Sequence, residues 1–387
     1  MKKSKKIALI ASAVCILAGL CMATTAWFSL QNADPSELST MQFEEKSHTI
    51  TEPFNDVIIS TINSSIEILP SSDGICRVVC DDNEKLYHQV FFQESEDGTA
   101  LHIVQHDEWE WYETLGGLHW DEDPILTVYL PQTEYEILDA VSGSGDITVA
   151  PDFRFQTLST RSTSGNTALT GLKAENLLVN SSSGDIDLRS VQVAEAVVLE
   201  NVSGFTRAEN LTASELTATT SSGDTVLENI TSEYLNMRSV SGAARVYGSN
   251  FSNTSYFETS SGSIEIVDSL CGDQTLHSVS GSVTLQNVQA NAMELRTTSG
   301  DVKLWEVHCE GNTHFETVSG EIMFTGLDAA NLDFVTSSGV VSGSLLTPKN
   351  FITQTSSGYV EVPYSDPEAG TCSVQTVSGD IIITIQP

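Results

Sequence analysis

Apolar and polar residues alternate along most of this chain in short runs, and the phase of the alternation resets at a recurring Ser-Gly pair. Two and four residues after the Gly stand apolar side chains, as in Ile186 and Leu188, Val283 and Leu285, or Ile381 and Ile383. Seven and five residues before it stand others, as in Leu177 and Val179, Leu235 and Met237, or Met293 and Leu295. A period of two predicts short strands with one buried face. The inward offsets are odd before the Gly and even after it, so the chain must turn there. Gly is expected at that corner to supply a backbone conformation that a Cβ would disfavour. A third column of small or apolar residues lies nine past the Gly: Ala174, Val193, Ala213, Cys271, Ala290, Cys309 and Ala329. Three faces per repeat describe one coil of a β-solenoid.

The repeat is strict. Its Gly falls at 145, 165, 184, 204, 223, 242, 262, 281, 300, 320, 339, 358 and 379, which is half of the 26 glycines. No Pro occurs between 152 and 347, although the chain has 10, and stacked interior strands need every N–H. Propeller blades run to about 40 residues, twice this period. The pattern therefore predicts an all-β, parallel β-solenoid of about 13 coils, a rod on the order of 60 Å long.

Outside the repeat, residues 7–30 carry no charge and follow Lys2, Lys3, Lys5 and Lys6. A run of 24 residues exceeds the about 20 that cross a bilayer as a helix, so a transmembrane signal anchor is expected over 1–30. Cleavage after Ala26, with secretion, is the alternative. The lysines place the start in the cytoplasm and 31–387 outside. Residues 31–46 read as a linker, 47–140 as an irregular N-terminal β module that caps the solenoid, and 141–387 as the Ser-Gly solenoid. Within the module, Ser65-Ile66-Glu67-Ile68 echoes Ser263-Ile264-Glu265-Ile266 and marks 57–70 as a degenerate unit. The last unit, Gly379–Pro387, has no cap after it, so its open edge is expected to stack on a partner or a second copy.

Charge and cysteine use narrow the function. After residue 30 there are 13 basic residues against all 52 acids, which argues against nucleic acid and anionic lipid surfaces as partners. Five cysteines lie beyond the membrane segment, none at zinc-site spacing. Cys76 and Cys80 would sit about 13 Å apart on one strand, too far to bridge. Cys271 and Cys309 share a column two coils apart and read as core thiols. An acid follows the repeat Gly at Asp146, Asp185, Asp224, Asp301, Glu321 and Asp380 but not elsewhere, so the column reads as turn carboxylates rather than a calcium ladder. No catalytic motif is present, and the scattered Arg154, Arg161 and Arg189 make no cluster of the kind a β-helix lyase needs. No cofactor and no metal is expected; His106 and His119 read as loop surface.

One segment stands out. Residues 105–124 hold Trp109, Trp111 and Trp120 with Tyr112 and seven acids. Such aromatics either cover the end of a core or form an exposed binding platform. Trp109, Trp111, Tyr112 and Trp120 are thus the candidate ligand-binding residues.

The repeated [ST]-[VS]-S-G-[DES]-[IV]-x-[LIV], following strands that end in Leu130-Pro131, resembles the family of bacterial envelope proteins named as putative adhesins. The resemblance implies a right-handed solenoid over 47–387, frequently behind one membrane segment, with function unassigned and no catalytic residues to carry over. Together these readings point to a non-catalytic, extracytoplasmic adhesin-like binding module of the cell envelope, for a glycan or protein partner. The alternatives are a membrane-tethered structural or envelope-stress accessory protein and a carbohydrate-active β-helix enzyme.

Overall fold

A computed structural model describes residues 43–95, 98–108 and 124–386. Every regular element among them is a β-strand, and no helix among them is long and apolar enough to cross a membrane. Segment 7–30 lies outside the described residues.

The strands stack in parallel with the repeat in register. Ile147, Thr167, Ile186, Thr206, Thr225, Ala244 and Ile264 sit above one another, and the column continues through Val283, Val302, Ile322 and Val341. All face inward and are buried. The column nine past the Gly is buried as well, including the free thiols Cys271 and Cys309. Burial of each Val, Leu or Ile contributes about 1.5–3 kcal/mol, repeated coil after coil. The result is a parallel solenoid of about 12 turns, the number of intervals between the thirteen glycine corners.

The corner glycines are not there for their backbone angles. None of them has a left-handed φ. Instead, a Cβ on Gly262 would lie 1.9 Å from the carbonyl oxygen of Gly242, and one on Gly223 would lie 1.8 Å from that of Gly204. Close approach between coils is what demands glycine. Left-handed backbone occurs at a second corner, six or seven residues later. There Asp152, Ser190, Asn210, Asn229, Asp268, Asn287 and Glu306 alternate with Gly171, Gly248 and Gly326 at φ of 50–72°. Asn, Asp and Gly tolerate that region best.

Three residues before the corner Gly stands a polar side chain, buried in nearly every coil. The hydroxyls of Thr220, Thr259, Ser278, Thr297, Thr317 and Thr336 accept the N–H of the following Gly at 2.9–3.1 Å. These six corners are thereby satisfied from inside.

Both ends of the rod are built out of sequence order. At the start we number β1 (Glu44–Ile50), β2 (Asp56–Thr61), β3 (Ser65–Pro70), β4 (Cys76–Asp82), β5 (Leu86–Ser95), β6 (Gly98–Asp107), β7 (Ile125–Leu130), β8 (Glu134–Ser142) and β9 (Ile147–Val149). The turn β2–β3 pairs with β8 and β9 on one side and with β6 and β7 on the other, so the first turn in sequence is second in space. Ile66 and Ile68 face Ile147 and Val149, as the Ser65–Ile68 echo implies. Beyond β6 and β7 the sheet turns antiparallel through β5, β4 and β1.

The other end repeats the device. Strand Thr371–Thr376 lies between Ile322–Thr336 and Asn350–Thr355, and Ile381–Ile385 lies between Val341–Leu345 and Val360–Glu361. This corrects the expectation that the C-terminal unit is the open coil offered to a second copy. Its strands are paired on both sides, and the outermost edge belongs to Asn350–Glu361.

Candidate functional site

The sequence-predicted aromatic segment leaves β6 and returns in β7. In the neighbouring turn the same corner, between β2 and β3, needs only residues 62–64. The connection from β6 to β7, through residues 108–124, is therefore much longer than its neighbour, and its two ends lie on a turn near the end of the rod. Trp109, Trp111, Tyr112 and Trp120 themselves lie outside the described residues, as does His119. His106 is described and is engaged locally, stacked on Tyr87 at 5.3 Å with Nε2 at 3.2 Å from Gln89 Oε1.

The neighbouring corner at 62–64 has its N–H groups met from β6. In later turns, corner N–H groups donate to carbonyls of the preceding corner; Gly143 and Ser144 donate to Thr61 and Ile62 at 3.2 and 3.1 Å. For Ile62, Asn63 and Ser64 that role falls to the buried side chain of Gln105. Its Oε1 accepts from all three N–H groups, at 2.6, 3.1 and 3.4 Å. Its Nε2 donates to Ser64 Oγ at 2.7 Å and to Asn63 Oδ1 at 3.0 Å. No motif announces Gln105; only its inward offset on β6 could have pointed to it.

The carboxylates after the repeat Gly clasp successive coils. Asp185 Oδ1 accepts the N–H of Phe205 at 2.7 Å, Asp224 that of Ala243 at 2.9 Å, and Asp380 that of Tyr359 at 2.8 Å. The Arg245 guanidinium, and then the Ala243 N–H, hold the Asp224 carboxyl below its ordinary range. These acids thus have a structural task that calls for no cation. Three arginines are engaged too: Arg207, Arg245 and Arg296 each pair with two acids, at least one on a neighbouring coil.

A patterned ridge runs beside the corners, two residues before each Gly. In spatial order it reads Val202, Ser221, Val240, Ser260, Val279, Thr298, Val318, Ser337, Val377, Ser356. The five valines are 44–57% exposed. In sequence order Ser337 and Ser356 would stand together. The tucked last unit places Val377 between them, its N–H donating to Ser337 and its carbonyl accepting from Ser356. The alternation of large and small is thus continuous in space alone.

The family model for Toastrack DUF4097 matches residues 54–268 and 236–386, from the start of β2 through the tucked final turn. The chain belongs to the Toastrack DUF4097 family. Among curated proteins none matches it. Two solved structures are similar to this Toastrack chain. One, from Clostridium sporogenes and described as a putative cell adhesion protein, is 8% identical over 89% of this chain and 100% of its own, with a TM-score of 0.24. The other, from Parabacteroides distasonis and described as a putative lipid binding protein, is 15% identical over 78% of this chain and 97% of its own, also at 0.24.

One further constellation in the Toastrack chain escaped the spacing rules. Cys80 and Asp82 point inward from β4, and His88 from β5 meets them; all three are buried. Asp82 Oδ1 accepts from the His88 backbone N–H at 3.0 Å and lies 2.7 Å from its ring Nδ1, while Oδ2 faces Lys46 Nζ at 3.4 Å. Burial pushes the Cys80 thiol up to about 12 and lowers the proton affinity of His88, Asp82 opposing the latter shift.

Proposed function

We propose that this Toastrack chain is a non-catalytic, extracytoplasmic binding module of the bacterial envelope, held at the membrane by residues 7–30 and engaging its partner through the enlarged corner at 108–124. The observation that carries this reading is Gln105. With the adjoining corner already satisfied, the rod has no polar requirement for three Trp, a Tyr and a run of acids at that point. A clustered aromatic surface that the fold does not call for is characteristic of an interaction site. Arg207, Arg245 and Arg296 are taken up in ion pairs along the coil surface, which weighs against the enzyme reading. The acidic field repels polyanions and favours a neutral glycan or a basic protein as partner.

A second location is favoured by the Val and Ser ridge, an exposed and uncharged stripe whose spacing of two coils is about 9.6 Å. The experiment is saturable binding of the labelled chain lacking residues 1–30 to isolated envelopes and to glycan and matrix-protein panels, beside a Trp109→Ala, Trp111→Ala, Trp120→Ala variant. Binding lost in the variant supports the corner. Binding kept places the site on the ridge, and no saturable binding leaves the membrane-tethered accessory role.

A further inference from the structure

The ligand-capable atoms of Cys80, Asp82 and His88 lie within 4.8 Å of one another, the one such group of three or more among the described residues. The side chain of His88 is 0% exposed and that of Asp82 is 2%. A neutral imidazole whose Nδ1–H donates to Asp82 keeps a bare lone pair on Nε2, and that atom is buried with no hydrogen-bond partner. Such an orphan is uncommon in a folded interior. A second one lies nearby. Nε2 of His48, on β1, is also buried without a partner, and His48 pairs with Val78, two residues before Cys80 on β4.

We propose that Cys80, Asp82 and His88 form a binding site for a zinc-type divalent ion, with His48 placed to complete the shell. A thiolate, an imidazole and a carboxylate are the donors zinc takes, whereas calcium and magnesium take oxygen almost alone. Zinc–ligand bonds of about 2.0–2.3 Å set ligand atoms roughly 3.5 Å apart, inside the span that the three already share. The ion enters as the Cys80 thiol proton leaves, which removes the barrier that burial sets against ionising that thiol. With Nδ1–H held by Asp82 Oδ1, the carboxylate orients the ring and leaves the Nε2 lone pair as its donor to the ion.

The consequence is mechanical. β4 and β5 are joined by a three-residue turn, β1 is the edge strand that receives the linker from 7–30, and β5 pairs with β6, which leads into the enlarged corner. An ion here pins the strands between the anchor and the corner. This is independent of what the corner binds.

The test is a titration of zinc into the chelator-treated chain lacking residues 1–30, with cobalt(II) as the spectroscopic probe. The expected result is one equivalent bound, a thiolate-to-cobalt charge-transfer band, and a rise in Tm on adding zinc. Cys80→Ser should abolish the band and weaken binding by about 100-fold or more. His88→Gln should do likewise, and decides the matter if Cys80→Ser does not fold. Cys309→Ser, a buried thiol elsewhere in the rod, should change none of the readouts. No stoichiometric binding, or binding and a band that survive both Cys80→Ser and His88→Gln, overturns the proposal.

Discussion

Gln105 holds the corner at Ser64 through both ends of its carboxamide, accepting the N–H groups of Ile62, Asn63 and Ser64 and donating to the Ser64 hydroxyl at 2.7 Å. It substitutes with a side chain for the backbone carbonyls that a preceding short corner would supply. Gln105→Ala should leave three donors unpaired, that of Ser64 fully buried, and lower stability by about 1–3 kcal/mol. Denaturant unfolding measures the loss, and amide exchange should place it at 62–64 rather than along the rod.

The glycine corners yield a paired test of close approach against backbone angle. Gly262→Ala puts a methyl 1.9 Å from the Gly242 carbonyl oxygen and should destabilise by about 3 kcal/mol or more. Gly74→Ala meets no atom within 4 Å and carries only the strain of φ +74°, about 1 kcal/mol. Equal losses in urea midpoints would contradict the assignment of the corner to crowding.

Gln274 sits in the apolar column between Ser255 and Met293, 1% exposed, with Oε1 unpartnered. Gln274→Met keeps the volume and removes the stranded acceptor. It should raise stability by about 1 kcal/mol, read as a higher Tm. A fall in Tm would mean that the weak Gln274 Nε2 contact to Cys271 Sγ, at 3.4 Å, outweighs the orphan.

Acid should loosen the coil clasps. The Asp224 carboxyl is held low in the folded chain, first by Arg245 and then by the Ala243 N–H. A depressed carboxylate contributes stability that is present above its unfolded pKa and lost as pH falls through the folded one. Asp224→Asn should therefore flatten the fall in stability below about pH 4 relative to the parent chain. The side chain is 42% exposed, so the difference stays below about 1 kcal/mol. Parallel melts of the two chains across that range provide the check.

The repeat was legible because stacking imposes one chemical demand at one interval: Gly145 through Gly379 recur where each coil meets the last. The degenerate unit at Ser65–Ile68 was legible for the same reason. What the demand is was not. Spacing marks a glycine without saying whether φ or a neighbouring carbonyl requires it. The tucked ends were hidden because coils are interchangeable in pattern; Ile381 fits beside Val341 as well as beside Val360, and it pairs with both. Cys80, Asp82 and His88 were hidden because the histidine comes from the adjoining strand at a spacing no zinc motif uses. The aromatic segment lies outside the described residues, and the place of its flanks near the end of the rod followed only from the pairing of β6 and β7.

The central claim is that this corner is a binding element on a rod that stands without it. The direct measurement replaces residues 109–123 by a short Ser-Ser-Gly corner and records the denaturation midpoint and envelope binding side by side. The account predicts an unchanged midpoint with binding lost. A lowered midpoint would make the aromatics a cover for the core, and an unchanged midpoint with binding intact would remove the corner from the function.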